Sequence, residues 1–102
     1  MSRLEQLERL LAREPDDPFL RYGVAMEHKK AGRLDEALEW LARTLAADAA
    51  YSYAYYQQGQ VLEARGDVAA ARAAYERGIA AARACNDGHA AAEMQVALDL
   101  LD

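Results

Sequence analysis

The chain has 102 residues and a mass of 11.3 kDa, room for one hydrophobic core but not for two domains of ordinary size. Hydrophobic residues at 53% and charged residues at 28% exclude a disordered chain; alanine at about a quarter of all residues, few β-branched residues and only two prolines, Pro15 and Pro18, indicate an all-α fold. Twelve Lys and Arg against 17 Asp and Glu give a net charge of −5, and the basic residues are scattered from Arg3 to Arg83 without a run, which excludes the electrostatic footprint of a nucleic-acid-binding protein.

Ser2 with Glu5 three residues on forms a capping box and predicts a first helix over about 2–14. Its leucines are interrupted by Arg and Glu, unlike the apolar stretch of a secretory leader, and nothing later approaches a membrane span. Asp16 and Asp17 beside Pro18 open a second helix over about 17–31. Asp35 and Glu36 open a third over about 34–47, and Tyr51 or Ser52 opens a fourth that ends at Arg65. Asp67 caps a fifth over about 68–85, and Cys85 to Gly88, "CNDG", reads as a turn. The sixth helix, "HAAAEMQVALDLL", has Ala90, Met94, Ala97, Leu98 and Leu101 on one face, with Glu93, Gln95, Asp99 and Asp102 elsewhere. The lone Cys85 has no intramolecular partner and suits a reducing compartment, so a cytoplasmic protein is expected.

The chain repeats itself. A shift of 34 residues carries Gly32 to Gly66, Ala25 to Gly59, Ala37 to Ala71, Leu41 to Tyr75, Leu45 to Ile79, Phe19 to Tyr53 and Tyr22 to Tyr56. The repeating unit is a pair of helices joined at a glycine. Gly32 and Gly66 each follow a helix that stops within a residue, the position that favours a left-handed backbone, whereas Gly59 lies mid-helix. Gly59 is expected to let two helices approach closely, paired with the small residues Ala37, Ala71 and Gly78 on the second helix of each hairpin.

This pattern resembles the tetratricopeptide repeat (TPR) family, whose unit is 34 residues of helix, turn and helix. In the second unit Tyr55 stands at the family's Trp position, Gly59 at its Gly, Gly66 at the turn, Ala71 at its Ala and Tyr75 at its aromatic position. In the first unit Ala25, Gly32, Ala37 and Leu41 fit, while Arg21 replaces the Trp. Gln58 stands in place of the usual Leu and Ala49 in place of the usual Pro; running the pattern backwards puts Pro15, Leu7 and Leu11 34 residues before Ala49, Leu41 and Leu45. The resemblance implies one TPR-like domain over 1–102, a right-handed superhelix of six helices in antiparallel pairs. Its parts are a half-repeat helix over 1–15, repeat one over 18–51, repeat two over 52–85 and a capping helix over 88–101 that shields the last repeat with a polar outer surface.

A search for chemistry finds little. His28 and His89 are the only histidines, and no metalloprotease, CxxC, nucleophile-elbow or phosphate-loop pattern occurs. Cys85 and His89 are four apart, but Asp87 and Gly88 break the helix between them, so a partly buried Cys and a surface His are expected, with no metal, no cofactor and no enzymatic activity.

The remaining signal is surface. The resemblance implies that the first helix of each repeat lines a concave side, with exposed positions spaced 3, 4 and 3 apart: Phe19, Tyr22, Met26 and Lys29 in repeat one, and Tyr53, Tyr56, Gln60 and Glu63 in repeat two. This aromatic stripe suits a peptide or helix, since Tyr and Phe supply contact area with few torsions. Three states stay open: an exposed groove, a stripe covered by the sixth helix, or a seam between copies of the chain. Some TPR proteins hold acidic tails with a Lys and Asn clamp, which Tyr22 and Met26 do not resemble. Trp40 reads as inter-repeat packing or as an exposed anchor. The expected function is a protein-interaction module or scaffold that binds a protein or peptide, but not nucleic acid or membrane; the alternative is a homodimer or larger self-association unit with no separate ligand.

Overall fold

The computed structural model describes residues 1–101, and among these all regular structure is helical. The six helices are α1 (Arg3–Arg13), α2 (Pro18–Lys30), α3 (Leu34–Ala47), α4 (Ser52–Ala64), α5 (Val68–Ala84) and α6 (Gly88–Asp99). They fall into two compact units, Met1–Asp48 with α1 to α3, and a second from Ala49 onward with α4 to α6. Asp102, expected on the polar face of the last helix, lies outside the described residues.

Local chemistry sets the helix starts. The Ser2 hydroxyl accepts from the Glu5 N–H at 3.1 Å while Glu5 Oε1 accepts from the Ser2 N–H at 3.3 Å, completing the capping box. Asp17, Asp67 and Asp87 each accept from the backbone N–H three residues on, at 3.1, 3.2 and 3.1 Å. Pro18 takes the first position of α2, where a missing N–H costs nothing. Because Asp87 caps α6, Gly88 is its first residue and not the last of a turn. Arg33 and Tyr51, the residues just before α3 and α4, give no side-chain cap, although Asp35 and Glu36 place negative charge in the first turn of α3.

The stops share one device. Gly32 and Gly66 have φ of +79° and +86°, and the following N–H groups of Arg33 and Asp67 reach back to the carbonyls of His28 and Leu62 at 2.9 Å. Asn86 closes α5 the same way, with φ of +60° and the Asp87 N–H bonded to the Ala82 carbonyl at 2.8 Å. Asparagine tolerates this left-handed conformation better than most residues with a side chain.

In the first unit Leu7 and Leu11 of α1 bury themselves against Leu20 and Val24 of α2, with Leu4 and Trp40 packed on the cluster. In the second, Ala71, Tyr75, Ile79 and Ala82 of α5 meet Ala90, Ala91 and Met94 of α6. Small residues bring these helices close. A Cβ at Gly78 would lie 2.6 Å from Tyr55 Cβ and would also collide with Met94. A Cβ at Gly59 would collide with the ring of Tyr75. The expected pairing of Gly59 with small residues is therefore corrected: the space at Gly59 is filled by a large aromatic, and Gly78 meets Tyr55 and Met94.

Candidate functional site

Four of the expected stripe residues lie on α2 in the first unit. Phe19 is 64% exposed, while Tyr22, Met26 and Lys29 are half-buried. Phe19, Tyr22, Met26, Gly23 and Glu27 of α2 face Arg3 and Leu7 of α1 across a groove of ≈ 170 Å³. Gly23 lets α1 and α2 approach closely here, because a Cβ there would stand 3.1 Å from Leu7 Cδ2. Arg3 and Glu27 approach to 3.9 Å across it. Lys29 lies further along α2 and does not line the groove.

A second hollow of ≈ 420 Å³ in this unit is lined by Leu11, Pro15, Arg21, Trp40 and Arg43. Arg21, the residue in place of the family's Trp, donates from Nε to the Pro15 carbonyl at 2.9 Å, from one terminal nitrogen to the Arg43 carbonyl at 2.7 Å and from the other to Asp16 at 3.0 Å. From its place on α2 one guanidinium thus ties the α1–α2 connection to the body of α3, work that a fork of five donors can do and a point charge cannot. Trp40 packs on the leucine core of its own unit, and the Arg43 guanidinium lies 4.5 Å from its ring centroid while also meeting Glu39 at 2.6 Å.

The other four stripe residues lie on α4 in the second unit. Tyr53 and Tyr56 are half-buried and meet edge to face, with ring centroids 6.3 Å apart, and Tyr56 in turn lies 6.1 Å from the buried Tyr75. Gln60 Nε2 donates to the Tyr75 hydroxyl at 2.7 Å, and that hydroxyl donates to the Glu63 carboxylate. Burial pushes the Tyr75 phenol well above its ordinary range, and Glu63 adds to the shift, so Tyr75 stays a neutral donor.

α6 makes the opposite wall. Tyr56, Gln60 and Glu63 face Glu93, Val96, Ala97 and Leu100 across a groove of ≈ 160 Å³. The Tyr53 hydroxyl donates to Glu93 Oε1 at 3.2 Å, and His89 Nε2 meets the same oxygen at 2.6 Å. Val96 is 59% exposed and Leu100 is 79% exposed. The expected polar outer surface of the last helix is corrected by these two residues. Glu93, Val96, Ala97 and Leu100 recur at the spacing of one helix face, which is the signal that could have revealed this wall.

Other candidates resolve simply. Cys85 is exposed, not partly buried, because it ends α5; its sulfur lies 4.0 Å from the Ser52 hydroxyl. His28 Nδ1 accepts from Arg33 Nε at 2.9 Å at the end of α2. Among the described residues no three His, Cys, Asp or Glu side chains gather as a metal site, and no helix is long and apolar enough to cross a membrane.

No family profile matches the chain. It is 38% identical over 99 residues, 97% of this chain and 94% of the other, to the TPR repeat-containing protein PA0015 of Pseudomonas aeruginosa. The solution structure of protein BPP2914 from Bordetella parapertussis superposes with a TM-score of 0.87 at 36% identity, covering 99% of this chain and 88% of that one. PcrH, in complex with the chaperone-binding region of PopD, superposes with a TM-score of 0.88 over 96% of this chain and 74% of its own, at 16% identity, a likeness of fold alone. With 38% identity to a TPR protein along nearly the whole length, a 34-residue period and a helical-hairpin fold, the chain belongs to the tetratricopeptide repeat family.

Proposed function

We propose that the chain is a protein-interaction module that receives a peptide or helix of another protein on the outward faces of α2 and α4, through Phe19, Tyr22, Met26 and Lys29 on the one and Tyr53, Tyr56, Gln60 and Glu63 on the other. The TPR-like fold is a general scaffold for protein recognition, and PcrH is one chain of this fold in complex with a segment of another protein. The observation that carries the reading is the pairing of each aromatic face with a groove: Phe19 and Tyr22 beside α1, and Tyr56 beside α6. Half-exposed aromatics beside a concavity supply apolar area at low entropic cost, the usual make-up of a binding hot spot.

In this reading 1–15 is a half-repeat, 18–51 and 52–85 are two full repeats, 88–101 closes the array, and the whole is one domain with no catalytic role. The exposed, unbridged Cys85 favours a reducing, cytoplasmic setting. Capture from native cell extract on the immobilised chain, with Phe19→Ala and Tyr56→Ala chains beside it and mass spectrometry of what is held, tests the proposal. A protein retained by the parent chain and lost from either variant supports it; identical capture by all three contradicts it. A chain that instead forms a stable dimer by light scattering, dissolved by Phe19→Ala, would make self-association the function.

A further inference from the structure

We infer that the groove between α4 and α6 takes a cationic amphipathic segment of a partner protein, seating one large apolar side chain on Tyr56, Val96 and Leu100 and setting Lys or Arg against Glu63 and Glu93. This deepens the interaction reading above and rests on it.

The groove's size and lining argue for the apolar anchor. A cavity of about 150 Å³ is enough to hold a benzene ring, and this groove has ≈ 160 Å³. Val96 and Leu100 stand 59% and 79% exposed on its rim, so a seated Leu or Phe would cover apolar surface that now faces water.

Charge argues for the flanks. From Ser52 to Ala64 and from Gly88 to Asp99, neither wall helix contains a Lys or Arg, while they carry Glu63, Glu93 and Asp99. The groove in the first unit is different, with Arg3 on one wall facing Glu27 on the other. Glu93 and Glu63 are also held in place. Tyr53 and His89 both bind Oε1 of Glu93, Tyr75 binds Oε2 of Glu63, and a carboxylate accepts on both oxygens. Carboxylates fixed beside an apolar seat attract a basic flank and repel an acidic one, nucleic acid or an anionic lipid surface.

The test uses the full ¹⁵N-labelled chain and two synthetic amphipathic peptides with the same Leu and Phe face, one flanked by Lys and the other by Glu. The Lys peptide is expected to shift the amide resonances of Tyr56, Val96 and Leu100, and to bind at least about tenfold more tightly than the Glu peptide, with the gap shrinking between about 50 mM and about 500 mM salt. Leu100→Ser should weaken it about fivefold or more, and Glu93→Gln about threefold. Neither should unfold the chain, because Leu100 is exposed and the amide oxygen introduced by Glu93→Gln still accepts from Tyr53. Equal binding of the two peptides, binding of neither, or shifts elsewhere overturns the inference, as does a dimer of the chain dissolved by Leu100→Ser. If a natural partner is lost from Phe19→Ala while the Lys peptide fails to bind, this inference falls and the interaction reading stands; a partner held alike by every variant brings down the reading itself.

Discussion

The ring of Tyr75 fills the space that a side chain at Gly59 would need. α4 and α5 are therefore packed at a distance set by one aromatic and one absent Cβ, and the helix-propensity cost of a mid-helix glycine, about 1 kcal/mol, is offset by that contact. Gly59→Ala gains back the propensity but drives a methyl group into the ring, an overpacking cost of about 1–3 kcal/mol. The net expectation is a lower melting temperature, and a larger drop for Gly59→Leu. An unchanged or raised melting temperature for Gly59→Ala would mean that Tyr75 can move aside freely.

The Tyr75 hydroxyl links Gln60 and Glu63, and removing it leaves two polar groups short of a partner. Tyr75→Phe should cost about 1–2 kcal/mol near neutral pH. The phenol also makes stability depend on alkaline pH. Its folded pKa is raised above the ordinary value of 10.0, so the unfolded chain gives up this proton first. Stability from this group is full below pH 10.0 and falls as pH rises beyond it. Urea unfolding at a series of pH values should show this decline, and Tyr75→Phe should lose the part of it that Tyr75 supplies; parallel profiles for the two chains would contradict the assignment.

A Cβ at Gly32 or Gly66 would meet nothing within 4 Å, so substitution there tests the backbone alone. Gly32→Val and Gly66→Val should each destabilise by about 1 kcal/mol or more, since a β-branched residue at positive φ is strained. Asn86→Gly should be near neutral and Asn86→Ala should lose about 1 kcal/mol, because Asn already tolerates the left-handed turn. Thermal melts of the four variants check the set. A valine variant as stable as its parent would show that φ at that position is not held positive.

Gln58 carries a buried side-chain oxygen with no hydrogen-bond partner, at the position where the family has Leu. Gln58→Leu removes the unsatisfied acceptor and should stabilise the chain by about 1 kcal/mol, read as a higher denaturant midpoint at unchanged slope. A loss of stability would show that the amide is satisfied in solution.

Much of the fold was legible because its signals are local. The 34-residue period, the Asp caps and the glycine stops each depend on a few neighbouring residues, and all six helices lie within about two residues of where spacing put them. What escaped depends on how helices are rotated against one another. The bond of Arg21 to the Arg43 carbonyl and the Tyr75, Gln60 and Glu63 cluster join residues far apart in sequence, and no periodicity marks them. α6 was legible in part: spacing put Met94 on the inward apolar face, and it is buried, while the exposed Val96 and Leu100 lie on a second face whose spacing is just as regular. Asn86 was readable as a turn residue, but its equivalence to Gly32 and Gly66 shows only in the backbone angles.

The most direct test of the account is to titrate the captured partner into the Tyr22→Ala, Tyr56→Ala double variant by calorimetry, with circular dichroism melts of the same samples. Both tyrosines are half-buried, so a moderate fall in melting temperature is expected with the helical spectrum retained. Partner affinity should fall by about 2 kcal/mol or more, roughly thirtyfold. Undiminished affinity in a folded double variant would contradict the claim that these faces recognise the partner, and a collapsed melting temperature would show them to be core.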